Sequence, residues 1–304
     1  MNKNLVRVSF IWMMAIVLAA GFTGSVFATG DGINEKLGVP IVVYGETLSD
    51  SQEQEVRELL DVQDAANVEE YTVTGEDIAK YINGNPNSNM YSSAKITREE
   101  EGHGLDINIV TPDNITQVTP EMYANALLTA GVENATVDVA SPIKVSGHSA
   151  LTGIYKAYDA QGVQLDKDRM QVADEELGVA TDLANNEGLS QEKVSELLTE
   201  IKKEIAKQDP ATKEEIEQIV KEQLNKLEIS LSDADRQMLV DLFEKMRNLD
   251  INFDKVASQL DDIASSVKDK FNEIVNDEGF WNKVETFFKD IFNAIRNFFE
   301  SIFK

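Results

Sequence analysis

At Asp166 the β signal stops, and this single change constrains the architecture more than any other feature of the chain. From Val39 to Leu165, short apolar or alternating runs are interleaved with helical stretches, whereas beyond Asp166 apolar residues recur at helical spacing to the end. The expected fold is therefore α+β: a small, mainly antiparallel sheet with helices, in an order that resembles a split βαβ arrangement, followed by an all-helical region. The predicted segments are a signal peptide over 1–28, an α+β domain over 29–165, a helical region over 166–277 and a C-terminal amphipathic helix over 278–304.

The first region reads as strand, helix, hairpin, helix, strand, helix. Val39-Pro40-Ile41-Val42-Val43 suits a buried strand, and Ser49 caps a helix carrying Val56, Leu59 and Leu60. Tyr71 to Thr74 is a brief extended piece, and Gly75 to Ile82 a short helix stopped at Asn83-Gly84-Asn85-Pro86. Ser92 to Arg98 and Leu105 to Val110 are predicted to pair as a hairpin through Glu99 to Gly104. Thr119-Pro120-Glu121 supplies a cap, a proline for the first helical position and an acid for the first turn, and Gly131 ends that helix. Val137-Asp138-Val139 alternates as a strand, and Ser146 is the expected cap of a helix carrying Leu151, Ile154, Tyr155 and Tyr158. All helices are expected on one face of the sheet. Beyond Asp166, helices are predicted over 166–184, 190–206, 210–227, 232–248 and 253–275, with a last one from Phe280. Leu249, Phe253, Val256, Leu260, Ile263 and Val267 step by four and three, a seam that a helix packed into its own bundle explains as well as a coiled coil does.

The N-terminus sets the expected compartment. Lys3 and Arg7 precede an apolar stretch from Val8 to Ala20, and Val26-Phe27-Ala28 fits a signal-peptidase site, so the mature chain is expected to begin at Thr29. An uncleaved N-terminal anchor is the alternative; both export the bulk of the chain. Composition then removes function classes. A formal charge of −26 opposes binding to nucleic acid, and the absence of Cys excludes disulfides, thiolate metal sites and thiol nucleophiles.

The run Val118 to Val132, VTPEMYANALLTAGV, followed by Val139-Ala140-Ser141-Pro142 and Val145-Ser146-Gly147-His148-Ser149-Ala150-Leu151-Thr152-Gly153-Ile154, resembles the YpuA-like family of exported Firmicute proteins, a domain of unknown function. The resemblance runs from about Gly45 to Ile205. It implies export and a bacterial envelope setting, and it implies no reaction, cofactor or catalytic residue.

No motif in the chain specifies catalysis. Gly147-His148-Ser149-Ala150-Leu151 departs from the Gly-x-Ser-x-Gly nucleophile elbow at its last position, and no His follows His148 to complete a triad in that order. Ser146, Gly147 and Ser149 instead form a helix start that either caps itself or holds an anion. His103, in Gly102-His103-Gly104, is the other His; two His far apart in sequence are weak grounds for a metal, and none is assigned. Asp233-Ala234-Asp235 opens like an EF-hand loop, but Met238 stands where that loop requires Gly. Arg98-Glu99-Glu100-Glu101 reads as a solvated charged face. No cofactor is expected.

The end of the chain carries the strongest amphipathic signal. Phe280, Trp281, Val284, Phe287, Phe288, Ile291, Phe292, Ile295, Phe298, Phe299, Ile302 and Phe303 fall within an arc of about 160° at ~100° per residue. Lys283, Glu285, Lys289, Asp290, Arg296 and Glu300 make a membrane span costly, so the segment is expected to lie on a membrane surface or in a partner's apolar groove. Packing onto the protein itself or a sister subunit would use the same face. Ending the chain at Gly279 is expected to abolish liposome co-sedimentation with little change in melting temperature; a large fall in melting temperature with lipid binding retained would show that the helix packs internally.

The functional expectation is an exported, non-catalytic cell-envelope protein: a structural, interaction or binding module that docks through its C-terminal helix to the membrane surface or an envelope protein. Self-association stays open, and nucleic acid is not an expected partner. The alternatives are an extracytoplasmic enzyme acting on cell-wall or envelope material and an ion- or anion-binding module.

Overall fold

The computed structural model describes residues 37–62, 65–186 and 188–263. The predicted signal peptide over 1–28, the part of the predicted 253–275 helix beyond residue 263, with Val267 of the seam, and the segment 278–304 lie outside them. The elements run β1 (Ile41–Gly45), α1 (Asp50–Leu59), β2 (Glu69–Val73), α2 (Gly75–Ile82), β3 (Ser93–Arg98), β4 (Leu105–Ile109), α3 (Pro120–Ala130), β5 (Ala135–Ala140) and α4 (His148–Ala160). Four helices follow, α5 (Lys167–Asn186), α6 (Gln191–Gln208), α7 (Lys213–Lys226) and α8 (Asp233–Arg247), and residues 253–263 are helical again. The fold is α+β, a five-stranded sheet with helices followed by an all-helical region, and the elements match the predicted sequence of strands and helices.

Local chemistry explains the boundaries. Ser49 and Gln52 close a capping box on α1, Thr74 and Asp77 one on α2, and Thr119 with Pro120 starts α3, which ends at Gly131 with φ +95°.

The sheet order β2-β1-β3-β5-β4 corrects the hairpin. β3 and β4 are not neighbours: β5 lies between them, antiparallel to β3 (Ser93 opposite Ala140) and parallel to β4 (Leu105 opposite Ala135). β1 pairs in parallel with β2 and antiparallel with β3. The sheet is thus mixed rather than mainly antiparallel, and no split βαβ unit forms, because the parallel strands joined through a single helix, β1 with β2 and β4 with β5, are direct neighbours. Two βαβ units, β1-α1-β2 and β4-α3-β5, flank β3. The reason lies in α3: a parallel pair needs a crossover of a dozen or more residues, and a helix between two alternating strands supplies it. Edge strand β2 begins with exposed Glu69 and Glu70, charges that discourage edge-to-edge pairing.

The helices do not share one face. On β1, Ile41 and Val43 join the main core beneath α4, while Val42 and Tyr44 pack with Val56 and Leu60 of α1 on the reverse side. Both faces of β1 are covered, so its run of apolar residues is continuous. The main core passes without a break into the helical region: α5 packs on α3, and Leu177, Leu198, Ile219 and Phe243 bury in the same cluster as Val137 and Leu127. The seam residues Val256 and Leu260 are buried in this core as well. Among the described residues no helix is long and apolar enough to cross a membrane.

Candidate functional site at the start of α4

The segment ahead of α4 is held by its backbone. Val145 donates to the Asn114 carbonyl at 2.8 Å and accepts from Thr116 at 2.9 Å, and the Gln117 amide reaches the Ser146 carbonyl at 3.3 Å. Gly147 then takes φ +109°, where a side chain would be strained and where a Cβ would sit 2.7 Å from Tyr123 Oη and 2.8 Å from Ile115 Cγ2. Its carbonyl accepts from Tyr123 Oη at 2.6 Å and from Ser92 Oγ at 3.3 Å. Complete burial pushes the Tyr123 phenol far up, so it remains a neutral donor.

Gly147, not Ser146, is therefore the N-cap, and it offers no side-chain acceptor. The expected cap failed because the bonds at Thr116 and Gln117 fix the chain one residue short of the helix. Ser149, expected to serve the same turn, shares a hydrogen bond with Ser92 instead. The other described helix starts have side-chain acceptors, such as Ser49, Thr119, Asp166 and Ser232. The first-turn amides of α4 have none.

These amides open into a cleft of about 210 Å³. Ser146, Gly147 and Ser149 line it, and so do Tyr91, Thr152 and Asp174, which belong to no sequence motif. Ile78 and Ile82 of α2 form its apolar wall. Thr152 is 1% exposed, and its hydroxyl has no hydrogen-bond partner. One turn further along α4, the buried Tyr155 hydroxyl is also unpartnered. Burial pushes the Tyr155 phenol well up, with further contributions from Asp174 and Glu176. Buried polar groups are nearly always bonded, so the Thr152 hydroxyl, which lines the cleft as Tyr155 does not, marks a place where a partner belongs.

Among the described residues Asp174 supplies the only acidic group in the cleft lining. Burial, reinforced by neighbouring Glu175, pushes its carboxyl from an ordinary 3.8 up to about 6, and no cation or donor among the described residues opposes the shift. A legible signal exists for it: Met170, Ala173 and Leu177 mark the core face of α5, and Asp174 occupies the next position of that i, i+3, i+4, i+7 pattern. His148, at the first position of α4, is pushed below its ordinary value by burial, with Asp182 opposing. Its Nε2 lies 3.5 Å from Thr181 Oγ1, and no hydrogen bond joins the ring to Ser149. His103 is exposed on the β3–β4 connection and takes no part. Among the described residues no three metal-binding side chains converge.

Asp174 gives a stability prediction with a definite sign. Folding raises its pKa, so the folded chain holds more protons than the unfolded chain between pH 4 and 6. Its contribution is most favourable below pH 4 and is lost as pH rises through 6. Asp174→Asn is expected to stabilise the protein by about 2 kcal/mol at pH 7.5, the two-unit shift discounted for partial exposure. The gain should vanish at pH 4; urea denaturation at both pH values measures it, and an equal effect at both would disprove the assignment.

A family model described as "Protein of unknown function (DUF1002)" matches residues 44–263. The chain is 39% identical over 274 residues to the uncharacterized protein YpuA of Bacillus subtilis strain 168, covering 87% of this chain and 91% of that protein. No solved structure matches.

Proposed function

The chain belongs to the DUF1002 family of proteins of unknown function, and we propose that it is an exported, non-catalytic binding module of the bacterial envelope whose ligand occupies the cleft at the start of α4. One observation carries this reading: the Thr152 hydroxyl is buried without a partner beside helix amides that no side chain caps, in a cleft lined by both. Desolvated hydrogen-bonding capacity of this kind favours a ligand that restores it. The Ser149 hydroxyl bonds to Ser92 and the His148 ring to Thr181 rather than to each other, which supports binding over hydrolysis, since a serine nucleophile needs a base hydrogen-bonded to it. Export is supported by Lys3, Arg7, the apolar stretch after them and Ala28. Attachment to the membrane surface or an envelope protein is supported by the aromatic stripe from Phe280 to Phe303.

The test uses the mature chain with isotope-labelled isoleucine methyl groups, titrated with a library of small polar compounds. Shifts at Ile78 and Ile82 that disappear in Ser149→Trp are the expected result. Absence of any response at these two methyls across the library would refute the cleft as a ligand site. Cell fractionation that found the protein in the cytoplasm with Met1 intact would refute export.

A further inference from the structure

We infer that the cleft binds a small zwitterion of the α-amino-acid class, its carboxylate on the amides of His148 and Ser149 and its ammonium against Asp174. The inference rests on the cleft being a ligand site and adds the chemistry of the ligand.

The cleft has two poles. One is the first turn of α4, a 13-residue helix whose N-terminal amides carry partial positive charge and lack a capping side chain. Beside it the Thr152 hydroxyl, buried and unpartnered, offers one more hydrogen bond. The other pole is Asp174, the one carboxyl in the lining, which has neither a cation nor a hydrogen-bond donor among the described residues. Among the described residues no Lys or Arg lines the cleft. A plain anion would gain the helix start but face Asp174 in a chain of net charge −26. A plain cation would satisfy Asp174 and be repelled by the helix start. A molecule carrying both charges satisfies both poles at once.

Size and the remaining wall agree. At about 210 Å³ the cleft falls below the roughly 300–1,000 Å³ of sites for drug-sized ligands, so the occupant is small. Ile78, Ile82 and Tyr91 give its side chain an apolar surface. Asp174 also weakens the empty fold at neutral pH, the pattern expected when a residue is kept for binding rather than for stability.

Ionisation of Asp174 makes the binding pH-dependent. The titratable groups around it are Glu175 on α5, His148 and Tyr155 on α4, and Tyr91 on the segment before β3; α2 contributes Ile78 and Ile82. Protonating Asp174 removes the negative pole, so affinity for an amino acid should fall as pH drops from 7.5 to 5.

Calorimetric titration of the full mature chain with alanine, acetate, methylamine and inorganic phosphate tests the proposal. Alanine is expected to bind at least about tenfold more tightly than acetate or methylamine, the discrimination one charge-assisted bond provides. Asp174→Asn should weaken alanine about tenfold or more without weakening acetate, and Thr152→Val should weaken alanine severalfold at an unchanged melting temperature. Acetate or phosphate binding as tightly as alanine would replace the zwitterion by an anion, and equal methylamine binding would replace it by a cation. No binding by alanine or other amino acids, with Ile78 and Ile82 still responding to some other compound, would overturn the ligand class and leave the cleft a binding site. Silence of these methyls toward every compound would overturn both.

Discussion

Lys202→Met should lower the unfolding free energy by about 3–5 kcal/mol, the loss expected when one member of a buried ion pair is left alone. Lys202 on α6 is 0% exposed and its ammonium lies 2.6 Å from Glu176 Oε1 on α5, itself 1% exposed. The ammonium also donates to the Asn125 carbonyl and to Thr129 Oγ1, each at 2.9 Å, and the Thr129 hydroxyl is 2.7 Å from Glu176 Oε2. The network thus ties α3, α5 and α6 together in the interior. Burial pushes the Lys202 ammonium down, and the Glu176 carboxylate opposes that shift. Removing the cation leaves a desolvated carboxylate. Lys202→Met combined with Glu176→Leu should recover most of the loss, because it removes both charges at nearly constant volume. Urea denaturation of the two variants and the parent measures these differences; a single-variant loss below about 1 kcal/mol would mean that water reaches the pair.

Gly75→Ala is the second large effect, a destabilisation of about 3 kcal/mol, at the upper end for overpacking of a close contact. Gly75 is the first residue of α2, and its amide donates to Glu46 Oε2 at 3.2 Å. A Cβ there would collide with the Pro86 carbonyl oxygen. Backbone on both sides of the clash leaves no flexible side chain to yield, so α2 must separate from the chain at Pro86. Ser88, Asn89 and Tyr91 follow that point and line the cleft with Ile78, so ligand binding should weaken in the same variant. Gly178→Ala is the contrasting substitution. It lies inside α5 with nothing within 4 Å of an added Cβ, and should stabilise by about 0.5–1 kcal/mol. Thermal melts of both variants decide the matter; a Gly75→Ala protein as stable as the parent would disprove the close approach.

Much of the cleft was visible in the sequence as Ser146-Gly147-His148-Ser149, because a small-residue cluster before an amphipathic run marks a helix start. The bonding within it was not. Ser149 turned out to address Ser92, 57 positions away, and the place expected for Ser146 fell to Gly147 because Thr116 and Gln117 hold the preceding backbone. Asp174 could be noticed as a charge on the core face of α5, but its meaning depends on what stands opposite.

The sequence by itself determined the order of strands and helices, their approximate ends and the change to an all-helical region near Asp166. These follow from periodicity and from caps such as Ser49, Thr119 and Pro120, whose hydrogen bonds and dihedral constraints act within three or four residues. The tertiary structure alone decided that β5 separates β3 from β4, that α1 covers the reverse face of β1, and that Asp174 lines the same cleft as the start of α4. Each depends on burial shared between residues tens of positions apart, such as Ser93 opposite Ala140. Two alternating runs joined by six residues carry the same local pattern whether they pair with each other or with a third strand.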